Sequence, residues 1–179
     1  MLRVQDEAFR EAFESGYDAT TVEGIAAAAE VSPSTVYRAF GTKEGIFLWD
    51  ELELPTIELL AGALVGHSPV EASIAVVEAM GGLEFHVSDT EMRERLNLVL
   101  AEPDLRSSLA GELRRFESGL AEILVEGGAI EVLQARIVAA ATVAAMVAAI
   151  ETWGSADPPV SFASAAVEAA ASLRKVLNG

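Results

Sequence analysis

The chain has 179 residues, 51% of them hydrophobic, with a net charge of −16 and no cysteine. That composition excludes a disulfide framework, a thiolate metal centre and a cysteine nucleophile, and it argues against general nucleic-acid affinity, which lysines and arginines supply through phosphate contacts. Abundant Ala, Leu, Val and Glu with only 6% aromatics point to an all-α globular protein.

From Leu2 to Glu14, Ala8, Phe9, Ala12 and Phe13 form an apolar stripe at helical spacing, and Gly16 ends it. The stretch up to Glu11 lacks the apolar core of a secretory signal, so a cytoplasmic location is expected. A second, short helix follows, with Thr20 and Glu23 as a capping box and Val22, Ile25, Ala26 and Ala29 on its buried face. A third opens with Ser32 as cap and Pro33 at the first helical position, and leaves through Gly41. Val36 and Phe40 face inward, which turns Ser34, Thr35, Tyr37 and Arg38 outward. Thr42 caps a fourth helix, with Lys43 on its opening turn and Ile46, Phe47, Leu48 and Trp49 as its apolar body.

Beyond Pro55 the pattern predicts long helices at about 56–65, 70–87 (weakened at Gly81-Gly82), 90–101, 105–125, 130–153 and 162–177. The longest apolar run, Ile137 to Ile150, is broken only by Thr142. It is shorter than the roughly 20 residues a bilayer span needs, so a buried packing helix, and no membrane partner, is expected. Two domains result: a head over 1–48 and a body over 49–179.

A helix, a tight turn and a second helix with a small, polar, singly basic outer face suit the major groove of DNA. Ser34 and Thr35 permit close approach to base edges, Arg38 can reach a guanine edge or a phosphate, and Tyr37, Thr42 and Lys43 can grip the backbone, with Thr21 and Ser32 at the two helix starts completing the set. The stretch "GYDATTVEGIAAAAEVSPSTVYRAFGTKEGIF", Gly16 to Phe47, resembles the DNA-binding head of TetR-family transcriptional regulators. The resemblance implies a homodimer on a palindromic double-stranded operator, joined through the last two helices, and a body that binds a small apolar effector and lets DNA go. Glu30 stands in the turn where that family usually has glycine, and no basic arm precedes the first helix.

Met80, Phe85, Met92, Leu96, Phe116, Met146 and Trp153 lie on apolar helix faces of the body and are its candidate pocket residues, although helical spacing alone fits plain core equally well. His67 and His86 lack a third ligand nearby, so no metal is expected, and no nucleophile–base pair suggests an enzyme or a cofactor. Carboxylates such as Glu91 stand four residues from arginines such as Arg95, the spacing of ordinary helix stabilisation. The acidic balance leaves one alternative, an all-α interaction protein that keeps the head without binding DNA. Residues 51–179 hold nineteen of the twenty-eight acids, so most of the negative charge belongs to the body.

Overall fold

A computed structural model describes residues 1–48, 59, 61–64, 67–82, 86–127, 130–156 and 160–178. Nine helices are bounded within them: α1 Leu2–Ser15, α2 Val22–Ala28, α3 Pro33–Phe40, α4 Lys43–Phe47, α5 Pro69–Met80, α6 Asp89–Ala101, α7 Pro103–Glu126, α8 Val132–Ser155 and α9 Phe162–Asn178. The described residues contain no strand, so the protein is all-α, as its composition predicts. The chain divides into two compact units, one of Met1–Asp50 with Met92–Gly111 and one of Glu51–Glu91 with Glu112–Gly179.

In the first unit the apolar stripes of α1 to α4 meet around Phe9, Ile25, Val36 and Ile46, and Val99 and Leu105 from α6 and α7 close the same core. Phe47 stands edge-on to Phe9 at 5.0 Å and to Tyr17 at 5.3 Å between ring centroids. Gln5, also buried, donates from Nε2 to the Ile46 carbonyl oxygen at 3.1 Å and ties α1 to α4. Phe13, expected in the stripe of α1, is instead 47% exposed, because a stripe through Val4, Ala8, Phe9 and Ala12 already fills the contact.

Three boundaries differ from the sequence reading. Thr21, not Thr20, caps α2 by accepting the Gly24 N–H at 3.1 Å, and the buried Thr20 hydroxyl donates to the Gly16 carbonyl oxygen at 3.0 Å. Both threonines are adjacent cap-forming residues, and the choice falls to the one whose extended backbone leads into the helix. Helix α5 stops at Met80 rather than running to Val87, since the glycine pair that follows lacks the side chains to sustain it. Pro103, read as a break, is the first residue of α7, where its missing N–H leaves no bond unmade. Of the helix expected near 56–65, residues 59 and 61–63 are helical, while half of that span and Trp49 lie outside the described residues.

In the second unit α9 packs on both α5 and α8. Ala72 and Val76 of α5, Leu120 and Leu124 of α7, and Ala135, Val138, Ala139 and Val143 of α8 form one core. Trp153 meets Phe162 edge-on at 5.6 Å, and the buried alanines Ala165, Ala166 and Ala170 give α9 a smooth inner face. Helix α8 is long and apolar enough to cross a membrane by length and composition, and 39% of that window is buried. It is buried on one side only: Ala135, Val138, Thr142, Met146, Ala149 and Trp153 turn inward, while Leu133 and Ile137 remain 70% and 56% exposed.

Candidate nucleic-acid interface

Helix α3 owes its position to its two ends. Ser32 accepts the Thr35 N–H at 3.2 Å and Pro33 opens the first turn, so the helix starts where the turn from α2 delivers it. Gly41 takes φ 75, a left-handed exit that an L side chain resists, and Thr42 then caps α4 by accepting the Gly45 N–H at 3.1 Å. A Cβ on Gly45 would collide with the Phe40 carbonyl oxygen, so the α3–α4 corner requires glycine there. Val36 is fully buried and Phe40 leans on the same core, which locks the rotation of α3.

That rotation puts the expected residues on the outside. Ser32 and Ser34 are exposed, Thr35 is half-buried, and the Ser32 hydroxyl lies 2.8 Å from each of the other two hydroxyls, a cluster at the start of α3. Tyr37, 47% exposed, and Arg38, exposed on the last turn, have no hydrogen bond or ion pair among the described residues. Thr21 and Thr42 are exposed caps whose oxygens serve their own helices.

Lys43 is placed differently from the rest. Its ammonium donates to the Tyr17 carbonyl oxygen at 2.6 Å and lies 3.8 Å from the centroid of the Tyr17 ring. Tyr17 in turn donates its hydroxyl to Glu44 at 3.0 Å. Burial, and then the Glu44 carboxylate, hold the Tyr17 phenol well above its ordinary range. The Glu44 carboxyl is held below its own, first by a hydrogen bond from its own backbone N–H, against which partial burial works, then by the Thr42 and Tyr17 hydroxyls and the Lys43 charge. Tyr17 thus clamps the α1–α2 loop to the start of α4.

Two other head arginines are also engaged. Arg10 bridges Glu7 at 2.7 Å and Glu14 at 2.9 Å along α1. Arg3 pairs with Glu30 at 2.9 Å. Among the described residues Glu30 is the non-glycine residue with positive φ, at 60, in the turn between α2 and α3, where the sequence departs from the expected glycine. Reading residues one helix at a time missed Tyr17, Gly45 and the Arg3–Glu30 pair, since each acts between elements. The signals were a lone tyrosine beside Gly16 and a second glycine one turn after Gly41.

Residues 5–48 match the family described as bacterial regulatory proteins, tetR family, and residues 68–178, more than half of the chain, match the MftR C-terminal domain. The chain belongs to the TetR family. Across 149 residues it is 32% identical to the HTH-type transcriptional regulator TcmR of Streptomyces glaucescens, spanning 78% of this chain and 61% of that one. It therefore covers less than two thirds of that curated relative's length. A TetR-family regulator from Streptomyces coelicolor shares the fold with a TM-score of 0.55 at 22% identity, over 99% of this chain and 94% of the other.

The candidate pocket residues of this TetR-family chain fall in both compact units. Met92 and Leu96, half-buried on α6, belong to the first; Met80, Met146 and Trp153, all buried, and the half-buried Phe116 belong to the second. Phe85 lies outside the described residues. None of them lines the open groove of about 410 Å³ between α7 and α8, whose walls carry Glu117, Glu122, Glu126, Val125, Val132 and Arg136. Among the described residues no group of three or more His, Asp or Glu could hold a metal ion.

Proposed function

We propose that this TetR-family chain is a ligand-responsive repressor that binds a palindromic DNA operator as a homodimer and leaves it when a small apolar effector enters the body. The observation that carries this reading is the outer face of α3, where the exposed Ser32 and Ser34 hydroxyls cluster with that of the half-buried Thr35 at the start and an unengaged Arg38 is exposed on the last turn, on a helix whose rotation is fixed by Val36. Hydroxyls at a recognition-helix start read base edges and phosphates, and Arg38 supplies the bidentate contact that discriminates guanine. Tyr37 would lie along the backbone. Lys43 reaches a phosphate only by releasing Tyr17, so its first duty is to hold α4. The remaining caps, Thr21 and Thr42, present helix N-termini to phosphate oxygens.

The dimer is assigned to the outer faces of α8 and α9, where Leu133, Ile137 and Val167 are exposed beside small residues. Heads joined there must fit successive major grooves about 34 Å apart, so a ligand that prefers another head spacing releases DNA. The pocket is assigned to the apolar helix faces of the second unit that carry Met80, Phe116, Met146 and Trp153, and the regulator works in the cytoplasm.

The test begins with a duplex selected from a randomised pool by the full chain, followed by mobility-shift titrations across salt. A specific complex whose affinity falls with salt, and which weakens about tenfold in Arg38→Ala, supports the reading. Absence of any complex at low salt would assign the head to a DNA-free interaction protein instead.

A further inference from the structure

We infer that Glu30 is a charge mask: it holds the Arg3 guanidinium away from the DNA backbone and so keeps sequence-blind binding weak. The inference rests on the DNA-binding reading of the head. Glu30 stands two residues before the Ser32 cap, a separation of at most about 7 Å along the chain, so the Arg3–Glu30 pair sits at the edge of the start of α3. In a helix-turn-helix the helix ahead of the recognition helix crosses the DNA backbone, and Glu30 stands in the turn that joins α2 to α3, so a cation drawn to Glu30 stands beside the elements that would meet phosphates. Here that cation is already paired, at 2.9 Å, and the side chains are 58% and 77% exposed.

Exposure decides what the pair is for. Ion pairs this open to water contribute little to stability, so the pair offers no return for the strained backbone at Glu30. Its effect falls on the charge seen by an approaching phosphate. Of the four basic residues in positions 1–48, Arg10 is tied to two carboxylates, Lys43 to Tyr17 and Arg3 to Glu30, which leaves Arg38. Removing the Glu30 charge releases a cation and deletes an anion at one point. Base-edge contacts from α3 are untouched by either change, so the mask weakens non-specific binding more than specific binding.

The test compares wild type with Glu30→Gln, Arg3→Gln, the double variant and Glu30→Gly. Binding is measured on the selected duplex, on a scrambled duplex of the same length, and by salt elution from heparin, a sequence-blind polyanion. Glu30→Gln should tighten binding to the scrambled duplex about fivefold, steepen the salt dependence by about 0.9 per engaged head, and elute later from heparin. The double variant should return to the wild-type slope. Glu30→Gly should match Glu30→Gln in slope while melting at a higher temperature, because it also removes the turn strain.

An unchanged slope in Glu30→Gln, or a steep slope that survives in the double variant, would overturn the mask. So would a slope change confined to Glu30→Gly, which would trace the effect to turn strain. Failure of every form to bind either duplex removes the DNA reading alone, and the order of elution from heparin still decides the mask.

Discussion

Arg95 of α6 reaches back 89 residues to Asp6 of α1, with Nη2 at 2.7 Å from Oδ1 and the guanidinium 4.7 Å from the centroid of the Phe9 ring. The arginine is buried and the aspartate half-open, so the pair joins a desolvated cation to a partly solvated anion. The pair adds to the Val99 and Leu105 core contacts that join residues 92–111 to α1 to α4 in one compact unit. Truncating one partner of such a pair leaves the other's polar group short of a partner. Arg95→Ala should cost about 3 kcal/mol in urea unfolding followed by circular dichroism, by lost packing as well as lost charge. Asp6→Asn keeps an oxygen to accept the bond but loses its charge, and should cost about 1 kcal/mol, the difference between a charged and a neutral hydrogen bond. A loss under about 0.5 kcal/mol in Arg95→Ala would show that the pair does not hold α6 to the head.

The corner between α3 and α4 gives a prediction with an unusual sign. Replacing glycine by alanine inside a helix ordinarily stabilises by about 1 kcal/mol. At Gly45 the added methyl would press on the Phe40 carbonyl oxygen, a backbone atom that cannot swing aside. Gly45→Ala should therefore destabilise, by about 1–3 kcal/mol as for other overpacked sites, and should loosen α3 relative to the core. A melting temperature equal to or above wild type would refute the close approach.

Tyr17 and Glu44 each make the stability of the head depend on pH, one at the alkaline end and one at the acid end. Glu44 titrates below its ordinary 4.5 in the folded protein, so its stabilisation is present above that value and is lost as pH falls through the folded value. Tyr17 titrates above its ordinary 10.0, so its stabilisation is present below 10.0 and is lost as pH rises toward the folded value. Glu44→Gln keeps an oxygen to accept the Tyr17 hydroxyl but cannot titrate, and should flatten the acid limb of unfolding measured against pH. Tyr17→Phe should flatten the alkaline limb and cost about 1 kcal/mol at neutral pH for the lost hydrogen bond. An acid limb unchanged in Glu44→Gln would place the titration elsewhere.

Much of the head could be read from local signals. Ser32, Pro33, Gly41 and Thr42 each state a helix end in chemistry that acts within four residues, and the structure has those ends where the residues put them. The outward face of α3 followed from Val36 and Phe40 alone. What escaped depends on distant parts of the chain. Lys43 looked free because its partner, Tyr17, is 26 residues away, and Arg95 looked like a surface helix residue because Asp6 is 89 away. Thr20 and Thr21 could not be told apart because capping depends on backbone angles that either residue can adopt. In the body, alternation of apolar residues gave the helices but could not say which apolar face meets solvent. Helix α8 was expected to be buried, and half of it is not.

That open half yields the last prediction. Leu133 and Ile137 lie four apart on α8, 70% and 56% exposed, and Ala144 and Ala148 continue the stripe toward its C-terminal end. On α9, Val167 is 51% exposed and is flanked by Ala163 and Ala171, small residues that let a second helix pair come close. Burying a leucine or isoleucine side chain contributes about 1.5–3 kcal/mol, and a two-fold interface counts each residue twice. Leu133→Glu with Ile137→Glu reverses that contribution and sets four carboxylates near one axis, where their mutual repulsion opposes closure. Sedimentation equilibrium at micromolar concentration should then show wild-type dimers and variant monomers, with helical circular dichroism unchanged because both positions are exposed within one chain. A monomeric wild type would refute the homodimer, and a double variant that still dimerises would place the two-fold axis, and with it the head spacing that permits operator binding, on another face.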